Sequence, residues 1–86
     1  MKITLEISYY PLVDKYNVPV KKFISKIKEN EKINVETGVM STVISGNYSD
    51  VMDMLITQLE PLMEEYPSVF NIKISNACKI SNNRAQ

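Results

Sequence analysis

From its first residues the chain alternates. Ile3, Leu5, Ile7 and Tyr9 fall on one side of an extended backbone, and Thr4, Glu6, Ser8 and Tyr10 on the other. A two-residue period of this kind marks a strand with one buried and one polar face. Residues 2–10 therefore form a first strand, and Pro11, with no N–H to give to a ladder, stops it or leaves it at an edge. The period then changes. Val20, Phe23, Ile24 and Ile27 follow the i, i+3, i+4, i+7 spacing of an amphipathic helix, and Lys21, Lys22, Lys26 and Lys28 fill the solvent side. Asn17 is placed to cap this helix and Pro19 suits an early helical position.

Residues 33–46 are rich in β-branched side chains and contain both glycines, Gly38 and Gly46, so they predict two strands joined by a hairpin that turns near Gly38 to Met40. Asn47 or Ser49 caps a second helix, whose first turn sets Asp50 and Asp53 against the positive end of the helix dipole. Met52, Leu55, Ile56, Leu59, Leu62 and Met63 are its expected buried stripe, the methionines serving as core filler. Pro61 lies inside this pattern and predicts a kink or a break. Residues 69–76 alternate again, with Phe70, Ile72 and Ile74 facing the core. Cys78 reads as a small semi-buried hydrophobe, and residues 79–86 as a frayed polar tail, so the domain is 1–78.

The order βαββαβ is the split βαβ signature of a ferredoxin-like sandwich. The fold class is α+β: a four-stranded antiparallel sheet with two helices on one face. A basic first helix and an acidic second helix favour packing side by side. The other sheet face is left open, and strand parity puts Thr4, Glu6, Ser8 and Tyr10 on it, together with Asn71, Lys73 and Ser75.

Composition narrows the function. A chain of 86 residues buries only about 60% of its unfolded surface, which favours self-association. Ten basic residues balance ten acidic ones, so the chain lacks the cationic surplus of a nucleic-acid binder. A single cysteine precludes an intrachain disulfide and fits a reducing compartment, and no apolar run reaches membrane-spanning length; the expected location is the cytoplasm. Without histidine, no Ser/His/Asp or Cys/His system can be built. The carboxylates show no metal-ligand spacing, and there is neither a Gly-rich phosphate loop nor an Arg cluster. The chain therefore reads as a binder without a cofactor, not an enzyme. Hydroxyls and an amide on the open face match a heterocycle carrying an amino group and ring nitrogens. Tyr10 offers a stacking surface, and Glu6 or Glu36 offsets a positive charge.

Ser8-Tyr9-Tyr10-Pro11 at the end of strand one, Thr37 with Ser41-Thr42-Val43 in the hairpin, Gly46 before the second helix, and Asn71 with Ser75 and Cys78 together resemble the YkoF-type family of thiamine- and hydroxymethylpyrimidine-binding proteins. The likeness runs from about residue 3 to residue 78 and departs at Gly38-Val39-Met40, which is less polar than in the tandem members. It implies ferredoxin-like repeats that bind the pyrimidine part of thiamine and a single-repeat chain that assembles into homodimers or homotetramers through its sheets. It also implies a pocket in which Tyr10 stands beside Ser8, the hydroxyls of Thr37, Ser41 and Thr42 hold the polar edge of the ring, and Asn71 completes the site. Two other readings use the same fold. One is a homo-oligomeric interaction module whose open faces bury each other through Tyr10, Met40 and Ile44, without a thiamine ligand. The other is a regulatory domain that senses amino acids.

Overall fold

The structure is a computed structural model and describes residues 1–77; the readings of Cys78 and of the 79–86 tail lie outside the described residues. Six elements follow one another as the sequence predicts: β1 (Lys2–Pro11), α1 (Asn17–Lys28), β2 (Asn34–Thr37), β3 (Thr42–Asn47), α2 (Tyr48–Glu65) and β4 (Ser68–Ser75). The strands form one antiparallel sheet in the order β2-β3-β1-β4. Both helices pack on one face of it, which completes the ferredoxin-like α+β sandwich.

The core sits between this face and the helices. Ile3, Leu5 and Ile7 of β1 and Ile44 of β3 are buried against Phe23 and Ile27 of α1 and Val51, Met54, Leu55 and Leu62 of α2. Each strand contributes every second residue, the arrangement that strand parity requires. At one end Tyr9 stacks on Phe70 with ring centroids 4.3 Å apart, and Phe23 meets Tyr9 edge-on at 5.7 Å. Ser68 Oγ donates to the Tyr66 carbonyl, which leaves it to accept from the Tyr9 hydroxyl at 3.1 Å.

Four details of the helices refine the expectation. Asn17 is the first residue of α1 and not its cap; Tyr16 holds that place without a side-chain hydrogen bond. Asn47 caps α2 through its extended backbone (φ −68°, ψ 146°), also without a side-chain bond. Pro61 does not break α2, which runs on to Glu65. The missing N–H deprives the Thr57 carbonyl of its partner, and Thr57 is exposed, so water serves that oxygen. The buried stripe of α2 is also turned. Val51 and Met54 are buried with Leu55 and Leu62, whereas Ile56 and Met63 are exposed. The apolar arc of α2 is wider than the core it covers, and packing selects one side of that arc.

Lys22 of α1 reaches Glu65 of α2 at 3.0 Å. The hydrogen bond and the charge of Glu65 raise the Lys22 pKa above its ordinary value. Both groups are about half exposed, so the bridge orients the helices more than it stabilises them. The end of β3 packs close to the turn before β2. A Cβ at Gly46, where φ is 158°, would stand 3.3 Å from the Lys32 carbonyl oxygen and 3.5 Å from Val51.

Candidate site: a notch between strand one and the hairpin

The four strands are unequal, and the site follows from that. Thr42, the first residue of β3, pairs with Ile7. β1 runs on through Ser8, Tyr9 and Tyr10 to Pro11, paired with β4 on one side and, among the described residues, with no strand on the other. The hairpin loop, residues 38–41, stands beside this half-paired stretch and is closed by the Gly38 N–H donating to the Ser41 carbonyl at 2.8 Å. The result is a notch in the sheet that opens to both faces.

Short bonds anchor the loop to β1 on the open side. Ser8 Oγ donates to the Met40 carbonyl at 3.3 Å, and Ser41 Oγ donates to Glu6 Oε2 at 2.9 Å. The other oxygen of Glu6 lies 3.9 Å from Lys73 Nζ. Around these groups Glu6, Ser8, Tyr10, Met40, Ser41, Asn71 and Lys73 line a depression of ≈ 140 Å³. Four of the predicted residues, Ser8, Tyr10, Ser41 and Asn71, meet here. The register accounts for the grouping, since Ser8 pairs with Asn71, Glu6 with Lys73 and Tyr10 with Val69.

Behind the loop, on the helix side, lies a second cavity of ≈ 160 Å³. Its walls are Ile7 and Tyr9 of β1, Val20, Phe23 and Ile24 of α1, and the loop itself, and Ser8, Ser41 and Thr42 supply hydroxyls. An adjoining groove along α1 adds Thr37, Lys21, Ser25 and Lys28. Thr42 is the one buried polar side chain among the described residues, 7% exposed. No hydrogen bond engages its hydroxyl among those residues, an arrangement that ordinarily costs stability.

The six predicted residues therefore belong to one notch but not to one face. Tyr10 and Asn71 lie on the open side and Thr37 and Thr42 on the helix side, while Ser8 and Ser41 stand at the rim and line both cavities. Thr37 and Thr42 fall on the helix side because each is an even step along its strand from a core-facing residue, Val35 and Ile44 respectively. Glu36 lies one strand further out, opposite Val43, and lines neither cavity. Sequence reasoning missed the apolar walls, Val20, Phe23 and Ile24, whose helical spacing is identical to that of ordinary core residues. A larger depression of ≈ 530 Å³ at the other end of the sheet, between Lys2 and Gly46, holds none of the predicted residues.

The arrangement is able to recognise a ligand. Flat apolar walls suit the faces of a ring, and hydroxyls and loop backbone groups suit its edge. Among the described residues no group of three or more acidic or cysteine side chains is arranged to hold a metal, and no helix is long and apolar enough to cross a membrane.

No protein-family profile and no curated protein matches the chain. Solved structures do. A Thermotoga maritima protein, provisionally assigned by its description to thiamine biosynthesis or salvage, superposes with a TM-score of 0.79 at 22% identity over 95% of this chain and 91% of its own. A Streptococcus pneumoniae protein gives 0.80 at 23% identity, covering 87% and 86%. A hypothetical protein of Methanocaldococcus jannaschii gives 0.76 at 25% identity, covering 95% and 87%. These likenesses establish a shared small ferredoxin-like domain.

Proposed function

We propose that the notch binds an aromatic heterocycle of the thiamine or hydroxymethylpyrimidine type and holds it without transforming it, as a carrier, sequestering or sensing protein. The observation that carries this reading is the buried, unengaged Thr42 hydroxyl in a cavity otherwise walled by Ile7, Val20, Phe23 and Ile24. A pyrimidine with an amino group and ring nitrogens offers that hydroxyl a partner and offers the apolar walls two flat faces. Thr37, Ser41 and Ser8 complete the polar edge. Tyr10 and Asn71 meet the part of the ligand that projects to the open face, where Glu6 offsets the charge of a thiazolium. The fold shared with the Thermotoga maritima protein is in keeping with this ligand class. The two cavities beside the loop are each smaller than the ~300 Å³ at which drug-sized sites begin, so the ligand spans the notch or extends into the adjoining α1 groove of ≈ 420 Å³.

Isothermal titration with thiamine, hydroxymethylpyrimidine and thiamine diphosphate tests the proposal. Heat is expected from the first two and less from the diphosphate, because no arginine cluster or Gly-rich loop is available for it. Thr42→Val weakens binding of both, and Asn71→Leu reduces it for thiamine more than for the bare pyrimidine. No heat from any of the three with folded protein would refute the proposal. A second reading would then stand, with one anchor corrected: Ile44 is fully buried in the core and cannot serve, whereas Tyr10, Met40 and Val69 are exposed, and two such faces can bury each other as an interaction module.

A further inference from the structure

The main-chain groups of β1 can be followed one by one. In an antiparallel ladder successive residues turn their N–H and C=O groups to opposite neighbours. On the β4 side Leu12 donates to the Pro67 carbonyl at 2.8 Å, and on the β3 side the Met1 carbonyl accepts from the Tyr48 N–H at 2.8 Å. Even-numbered residues of β1 therefore bond to β4 and odd-numbered ones to β3, so Ile3, Leu5 and Ile7 exchange bonds with Gly46, Ile44 and Thr42. One step further the residue opposite Tyr9 is Met40, which belongs to the hairpin loop and not to β3. No ladder bond joins them among the described residues. The Met40 carbonyl, which a continued ladder would offer to the Tyr9 N–H, accepts from Ser8 Oγ at 3.3 Å instead.

Tyr9 thus turns an N–H and a C=O side by side into the notch, with no protein partner for either among the described residues. The residue is half-buried and lines the helix-side cavity, and an unpaired main-chain group kept from water costs as much as a lost hydrogen bond. Pro11, the next residue of β1 to face this way, has no N–H. A peptide strand laid along this stretch would find a donor at Tyr9 alone, so the bare edge suits a ring and not a peptide.

We infer that Tyr9 reads the ligand through its main chain: its N–H donates to a ring nitrogen and its C=O accepts from the adjacent amino group of an aminopyrimidine, the two bonds that an opposing strand residue would exchange. The inference rests on the ligand class proposed above and gives it a specificity-determining contact. A ring held in this way lies in the plane of the sheet, in the gap where β3 stops. One of its faces meets Val20, Phe23 and Ile24, and the other looks to the open side, where Tyr10 and Met40 stand. A ring that bridges the gap accounts for the division of the predicted residues between two faces of one notch. It also keeps a second ring nitrogen and a second amino hydrogen for the hydroxyls of Thr42 and Ser41.

A substitution of Tyr9 would take its ring from Phe70 and Phe23, so the test alters the backbone alone. The 86-residue chain is short enough for chemical synthesis with an ester in place of the Ser8–Tyr9 amide, which removes the N–H and keeps the side chain. This protein, with folding verified by circular dichroism, is expected to bind hydroxymethylpyrimidine about three- to thirty-fold more weakly than the wild type. An ester in place of the Thr4–Leu5 amide removes a ladder bond to Ile44; it lowers stability and leaves the affinity unchanged. Amide hydrogen exchange in the free wild type supplies an independent reading. The Tyr9 N–H should exchange at least about ten-fold faster than those of Leu5 and Ile7 and become protected when hydroxymethylpyrimidine is added. A Tyr9 amide as protected as that of Ile7 in the free protein overturns the inference, and so does an ester at Tyr9 that leaves the affinity unchanged; in both cases heat from hydroxymethylpyrimidine with the wild type leaves the ligand class standing. No heat with the wild type overturns the ligand class and this contact together.

Discussion

Thr42→Val separates a binding residue from a structural one, because it should move stability and affinity in opposite directions. Valine keeps the shape of threonine and replaces the hydroxyl with a methyl at a site that is 7% exposed. A buried hydroxyl without a partner costs about 1–3 kcal/mol. The adjoining ≈ 160 Å³ cavity has room for water, each molecule needing roughly 30 Å³, which moves the cost to the low end of that range. The free protein should therefore gain about 0.5–1.5 kcal/mol, and valine's preference for strands adds to the gain. For a domain of this size that is a rise of about 2–12 °C in Tm. Binding should fall by about 1–3 kcal/mol, a factor of roughly 5 to 150. Thr42→Ser is the complement: it loses about 1 kcal/mol of packing and keeps the ligand. Urea denaturation without ligand and calorimetry with it supply the two numbers. If Thr42→Val destabilises the free protein, or binds hydroxymethylpyrimidine as the wild type does, the hydroxyl is not the recognition group and the site has been misplaced.

Three further substitutions probe the scaffold. Gly46→Ala brings a Cβ to 3.3 Å from the Lys32 carbonyl, a backbone atom that yields only if the turn moves, and should cost about 1–3 kcal/mol in chemical denaturation. Pro61→Ala restores an N–H for the Thr57 carbonyl at an exposed site inside α2. Against a proline penalty of ~3 kcal/mol in helix interiors, part of which is returned through the unfolded chain, it should stabilise by about 1–2 kcal/mol. Phe23→Ala removes a ring packed edge-on against the stacked Tyr9–Phe70 pair and should cost about 3–5 kcal/mol, with the near-ultraviolet tyrosine signal changing as Tyr9 loses a neighbour.

The fold was legible because the chain is consistent from level to level. The alternation from Ile3 to Tyr9, the helical spacing of Phe23 and Ile27 and the glycines around the hairpin all lead to one topology. Where the reading slipped, two answers were open to the same local pattern. In α2, the six stripe positions together with Val51 and Met54 span more than half the circumference, and nothing in their spacing says that Val51 and Met54 face inward while Ile56 and Met63 face out. The candidate site was legible by residue type and not by geometry. Parity assigns Ser8 and Asn71 to the open face, but the division of the hairpin hydroxyls depends on where β3 stops against β1. That is a property of two strands far apart in sequence, and no window on either one contains it.

If the hairpin loop is the wall shared by both cavities, a change that deforms it should damage binding on both sides while hardly touching the core. Gly38→Ala is the test. Its Cβ would lie 3.1 Å from the Ser41 carbonyl oxygen, the same atom that accepts from the Gly38 N–H at 2.8 Å. A backbone oxygen held by its own turn cannot swing aside as a side chain does, so the turn must open. Opening it displaces Ser41 from Glu6 and the Met40 carbonyl from Ser8, and each displacement moves a lining atom of one or both cavities. The loop is exposed and lies outside the buried core, so the stability cost should stay near ~1 kcal/mol, typical of strain relieved at a surface turn. Affinity for hydroxymethylpyrimidine should fall several-fold, since the loop must shift by a few tenths of an ångström to admit the Cβ and positioning elements are sensitive to displacements on that scale. Removing a single contact tests the cause: Ser8→Ala in the wild type, which removes only the hydroxyl that ties the loop to β1, should show a weaker version of the same defect. A Gly38→Ala protein that binds as tightly as the wild type would mean that the loop is a bystander and that recognition belongs to the strand face alone.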